Sequence, residues 1–200
     1  MKRIFVTVLL LVFLTGCTGL DNYYDPEELC LVTSIGVLVE NSKVVCFIEA
    51  PDFSSDNANE NRVNKSSGDT FKQALQNASN LFVGKMLYSQ CPIILIDDSV
   101  KNEVIEEIFK LCLSEYDFSL SMRFINCDVS KTYSKIATKK PVGYDIFKLL
   151  INNERVNKTA NIGKLSNILN SYKNNGEFNL IHLSIVEDSL VFDGYVQYKK

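Results

Sequence analysis

Hydrophobic and polar positions divide this chain into short segments of recognisable period. An apolar run from Ile4 to Leu14, broken only by Thr7, follows Lys2 and Arg3. The run covers 11 residues, short of the ~20 helical residues that cross a hydrocarbon core. A basic start, a short apolar middle and small residues before a cut form the plan of a secretory signal. Thr18 to Pro26 is polar and turn-rich and reads as a tether. Leu29–Val39 and Lys43–Ala50 are rich in Val, Leu and Ile, with Glu40-Asn41-Ser42 between them, a pattern that predicts an antiparallel hairpin. Pro51 ends the second strand. Ser54 to Gly68 is almost wholly polar and is expected to be a mobile loop.

Helical spacing begins at Asp69-Thr70. Thr70 and Gln73 stand at capping-box spacing, and Phe71, Ala74, Leu75, Ala78, Leu81 and Phe82 form one apolar stripe that Gly84 closes. Ile93 to Ile96, a continuous apolar run after Pro92, reads as a buried central strand. Asp97-Asp98-Ser99 is expected to cap a helix over Val100–Leu113. Ser121–Cys127 reads as a strand, and Asp128 as the N-cap of a helix to Ala137. Asp145–Asn152 and Ile162–Tyr172 carry two further helical patterns after the break at Pro141. Asn174-Asn175-Gly176 is a turn. Phe178–Val186 and Leu190–Tyr198 form a second hairpin with Glu187-Asp188-Ser189 at its tip. This order predicts an α+β fold: a largely antiparallel or mixed β-sheet with several packed helices, preceded by a signal peptide. The expected organisation is a signal at residues 1–16, a tether at 17–26 and one α+β domain at 27–200.

Composition narrows the function. Removing residues 1–16 from the 200 leaves 184, enough for one domain with its own core. A net charge of −3 speaks against a nucleic-acid partner, which needs a basic face. Cysteines stand at 17, 30, 46, 91, 112 and 127 with no C-x-x-C pair, so the usual zinc spacings are missing. Cys30, Cys46, Cys112 and Cys127 lie in apolar runs, where a cysteine serves as a small hydrophobe. One disulfide in an exported domain is the other reading.

Catalytic patterns are scarce. The single histidine, His182, sits in a strand, where a structural role is the commoner one. There is no G-x-S-x-G elbow, phosphate loop or dinucleotide fingerprint. Glu27-Glu28, Asp97-Asp98 and Glu106-Glu107 are adjacent pairs whose side chains diverge on any regular element. Asp97 follows the buried strand and is a candidate for a site on the sheet's carboxyl edge, with helix capping the simpler role. Asn64, Asn77 and Asn157 match glycosylation acceptors. No catalytic residue, metal ligand, ligand-binding residue or cofactor is assigned.

Leu14-Thr15-Gly16-Cys17 is similar to a bacterial lipobox, in which the Cys17 thiol is acylated and Cys17 becomes the new amino terminus. Two or more acyl chains hold a protein stably at ~0.8 kcal/mol per buried methylene, where one holds only marginally. Tyr23 and Tyr24 then stand either at headgroup level or at the domain edge.

Two longer stretches carry a family resemblance. The segments LCLVTSIGVLVENSKVVCFIEAPDF and GDTFKQALQNASNLFVGKMLYSQCPIILIDDS resemble the amino-terminal domain of the C-subunit lipoproteins of spore germinant receptors, the Ger(x)C family. Glu28, Leu29, Val32, Ile35 and Gly36 fit that family's E-L-x-x-V-x-x-I-G-I-D strand pair. Gly68, Thr70, Ala74, Leu75 and Asn77 fit its G-x-T-x-x-x-A-L-x-N helix, and Ile93–Ile96 its following strand. Phe192–Lys200 resembles its G-x-A-V-F-K strand. This chain departs in carrying Thr18-Gly19 where the family has Trp-Asp, and Ser89-Gln90 where it has Ser-His. Family members continue for two more domains, so the chain is expected to be a shortened relative, a degenerate product or a fragment. The resemblance implies no enzyme. It implies a lipid-anchored accessory subunit on the extracytoplasmic face of the inner spore membrane, assembled with A and B subunits, with germinant recognition mainly in B. The alternative is an extracytoplasmic ligand-binding lipoprotein, which requires a deep pocket with converging polar groups. A lipid-anchored hydrolase lacks a visible nucleophile.

Overall fold

The computed structural model describes residues 29–51, 61–114, 117–136, 141–157 and 163–199. The signal and tether expectations therefore lie outside the described residues, as does the proposed loop over Ser54–Glu60. Nine strands are described: β1 Leu29–Leu31, β2 Ser34–Glu40, β3 Lys43–Pro51, β4 Asn61–Gly68, β5 Lys85–Leu87, β6 Ile93–Ile96, β7 Arg123–Cys127, β8 Glu177–Val186 and β9 Ser189–Lys199. The helices are α1 Phe71–Ser79, α2 Asn102–Ser114, a short α3 Val129–Lys131 that widens into a π-turn over Thr132–Ile136, α4 Val142–Asn157 and α5 Leu165–Asn175.

Seven strands form one mixed sheet in the order β4-β3-β2-β6-β7-β8-β9. Its centre, β2-β6-β7-β8, is parallel, and antiparallel partners close each flank. The fold is α+β, as the segment order predicts. β6 shows why its sequence is continuously apolar. Ile94 and Ile96 face one core with α1, α2 and α5, while Ile93 and Leu95 face a second core with α3 and α4. A strand covered on both faces has no polar side.

Both predicted hairpins form. Asn41-Ser42 and Glu187-Asp188 each hold two successive positive φ angles, the two-residue turn whose twist matches paired strands. The first strand of the first hairpin is split, however. β1 leaves it to pair in parallel with β5, from Leu29↔Lys85 to Leu31↔Leu87.

The expected loop over Ser54–Gly68 is corrected in its second half, because Asn61–Gly68 is strand β4. It pairs with β3 from Val44↔Gly68 to Pro51↔Asn61. β3 has unpaired backbone groups on that side and must find donors and acceptors for them. A polar, charged segment suits the resulting sheet edge, since charges discourage further pairing. Arg62 and Lys65 project outward, while Asn64 and Gly68 turn in.

Two glycines make close approaches. A Cβ on Gly36 would lie 2.3 Å from Cε2 of Tyr133, whose buried ring stacks on Phe47 at 4.9 Å. A Cβ on Gly68 would lie 2.6 Å from the backbone nitrogen of Ala74. In the β8–β9 pair, Ile181 faces Tyr195 and Leu183 faces Phe192. Asp193 and Gly194 thus both oppose His182, a bulge in which Gly194 takes φ +100°. The five cysteines of the domain, Cys30, Cys46, Cys91, Cys112 and Cys127, are buried thiols.

Candidate functional site

Polar side chains inside a sheet domain are the places to look for chemistry, because burial costs free energy unless each atom is paired. Two such clusters stand out. The first lies where the parallel strands end. Asp97 and Asp98 leave β6 there, as the sequence places them. Asp97 does not cap α2, and that expectation is corrected. Its Oδ1 accepts from the Ser99 amide at 3.0 Å and the Ser99 hydroxyl at 2.7 Å, and its Oδ2 accepts from the Val129 amide at 3.2 Å. It therefore closes its own turn and steadies the start of α3. Asp128 caps that helix as predicted, accepting from the Lys131 amide at 2.9 Å.

Asn126 of β7, fully buried, is the hub of this first cluster. Its Nδ2 faces Asp98 Oδ1 at 2.7 Å, Tyr198 Oη at 3.1 Å and the Ile96 carbonyl at 3.2 Å. Its Oδ1 meets Nδ1 of His182, whose Nε2 lies 4.0 Å from Asp193 Oδ2 across the bulge. Burial pushes the Tyr198 hydroxyl up to about 12. The histidine is thus one arm of a clasp joining β6, β7, β8 and β9. Asn126 meets no serine or cysteine nucleophile in this set.

The second cluster surrounds Glu49 of β3, also fully buried. Oε1 accepts from the Val142 amide at 2.7 Å. Oε2 accepts from the Gly143 amide at 2.9 Å, the Ser34 hydroxyl at 2.8 Å and the Thr33 hydroxyl at 2.9 Å. Ser34 Oγ in turn lies 2.9 Å from Tyr133 Oη. A carboxylate from one strand therefore caps α4, where orphan amides and the helix dipole favour negative charge. Glu107 of α2 does the same for α1, accepting from the Phe71 and Lys72 amides at 3.0 Å each. Its neighbour Glu106 binds the Tyr172 hydroxyl instead. The adjacent glutamates diverge, as their spacing predicts.

These clusters consume their own donors and acceptors in holding helices and strands together. Among the described residues no group of three or more His, Cys, Asp and Glu side chains is placed to hold a metal ion. A groove of about 540 Å³ between α4 and β9 is lined by Leu149, Leu190, Val191 and Phe192 with Asn152 and Asn153. It is open and largely apolar. Sequence reasoning passed over Glu49 and Asn126. The signal for both was a polar residue inside an apolar strand, CFIEA and RFINC.

The motif positions have structural work. Gly68 lets α1 approach β4, and Thr70 caps α1, accepting from the Gln73 amide at 3.2 Å. Gln73 reaches back to the Asp69 amide at 2.8 Å. Ala74 and Leu75 are fully buried, and Asn77 Nδ2 donates to the Ser67 carbonyl at 3.0 Å. Gly36 makes room for Tyr133. Residues 22–185 match the family described as the spore germination protein N-terminal domain. The chain belongs to this family, and its role lies in spore germination. Comparison with curated proteins and with solved structures gives no match. Among the described residues no helix is long and apolar enough to cross a membrane. Cys17, the expected lipid attachment, lies outside the described residues.

Proposed function

We propose that this chain is a lipid-anchored, non-enzymatic accessory subunit of a spore nutrient germinant receptor. The observation that carries the reading is the family match over residues 22–185, which begins just after the lipobox at Leu14–Cys17. Acyl chains on Cys17 hold the domain at the extracytoplasmic face of the inner spore membrane, and the domain presents a rigid surface to the A and B subunits. The way Glu49, Glu107 and Asn126 are spent on internal hydrogen bonds supports a scaffold over a catalyst. Rigidity serves such a subunit, because a preformed surface loses little entropy on assembly.

Membrane fractionation of spores carrying wild type or Cys17→Ala, with nutrient germination measured in parallel, tests this reading. Wild type is expected in the membrane fraction with palmitate on Cys17, and the variant is expected to lose the lipid and to slow germination. Normal germination by an unlipidated variant refutes the receptor role. An intact mass showing a free Cys17 thiol on the processed wild-type chain refutes the anchor.

A further inference from the structure

We infer that the loop between α1 and β5 is a second membrane contact, an apolar tip with basic flanks that dips into an anionic lipid surface beside the Cys17 anchor. The inference rests on the anchoring proposed above. The loop reads Asn80-Leu81-Phe82-Val83-Gly84 and has no acidic residue. Phe82 turns inward and packs against the core, under the Arg62 guanidinium at 5.8 Å from the ring centre. That leaves Leu81 and Val83 on the outside, 48% and 94% exposed. Gly84, at φ +103°, then turns the chain into β5.

Position singles this loop out among the exposed apolar side chains. Lys85, directly after it, pairs with Leu29, where the described chain begins. Leu31, 40% exposed, lies on the same two-stranded ladder. The described chain therefore starts beside the loop. From Cys17 to Leu29 the chain advances by twelve residues, at most ~40 Å when fully extended. An anchor this close makes loop docking an intramolecular event, so weak intrinsic affinity suffices. Arg62 and Lys85, both exposed, flank the tip with positive charge, the sign an anionic surface attracts.

The five domain thiols are buried, so a Val83→Cys chain takes a single environment-sensitive fluorophore at the loop. The full lipidated chain is reconstituted into vesicles of phosphatidylcholine and phosphatidylglycerol, with spin-labelled lipid as quencher. Ser189→Cys, at the opposite end of the sheet, is labelled as the reference. Flotation reports the anchor separately. The label at 83 is expected to shift to the blue and be quenched, and the label at 189 to remain in water. Leu81→Asp in the labelled chain abolishes the quenching. Omitting phosphatidylglycerol lowers the docked-to-undocked ratio by about fivefold or more, the gain that one basic side chain brings at an anionic surface. A chain that floats while its label at 83 stays as water-exposed as that at 189 overturns the loop contact alone. A chain that fails to float overturns the Cys17 anchor and this contact with it.

Discussion

Replacing Glu49 by Gln tests whether a buried carboxylate fastens α4 to the sheet. Glutamine keeps the shape but exchanges one acceptor oxygen for an NH2 group. The least costly orientation turns the nitrogen toward Val142 and leaves the oxygen with Gly143, Ser34 and Thr33. One charge-assisted hydrogen bond is then lost, about 1.5–3 kcal/mol. Loss of negative charge at the helix start costs about 0.3–2 kcal/mol more. The sum, about 2–5 kcal/mol, is a large part of the ~5–15 kcal/mol that holds a domain together. Equilibrium unfolding in urea, with the chain in detergent, is expected to show a lower midpoint at unchanged slope. Hydrogen exchange is expected to lose protection first at Val142 and Gly143. A variant within about 0.5 kcal/mol of wild type, the range of an inert surface change, with both amides still protected, refutes the argument.

Three further outcomes are expected. Gly36→Ala drives a methyl group into Tyr133, 2.3 Å from its ring, and lowers stability by about 1–3 kcal/mol as other overpacked cores do, read as a fall in melting temperature. Iodoacetamide at mildly alkaline pH labels none of Cys30, Cys46, Cys91, Cys112 and Cys127 until denaturant is added, checked by mass. Burial shields all five, and it pushes Cys91 and Cys127 up to about 12. The same shifts, with Tyr198 also raised to about 12, set a direction for pH. The folded state keeps protons that the unfolded chain releases from pH ~9 upward, so stability is intact below ~9 and falls as pH climbs toward ~12. A denaturation midpoint that stays flat across that window under reducing conditions contradicts the assignment.

Local signals carried most of the element list, and tertiary ones did not show. The β6 run, the Thr70 cap and both hairpins are written in consecutive residues, where period and turn chemistry act. β4 was hidden because its strand character comes from the open edge of β3, not from its own polar side chains. α4 begins at Val142, three residues before its expected start at Asp145, because its cap is Glu49, far away in sequence. Asp97 looked like a cap for the nearest helix and serves α3 instead. The Asn126 clasp joins four strands, and no spacing rule links residues 98, 126, 182 and 198.

The kink at Asp193 and Gly194 has a consequence for crowding. β9 offers its outer side to solvent, and a straight border of that length would invite a neighbour's strand to zip onto it. With an extra residue inserted midway, a foreign strand finds its ladder interrupted after a few bonds. Many copies can then be crowded together without seeding fibrils.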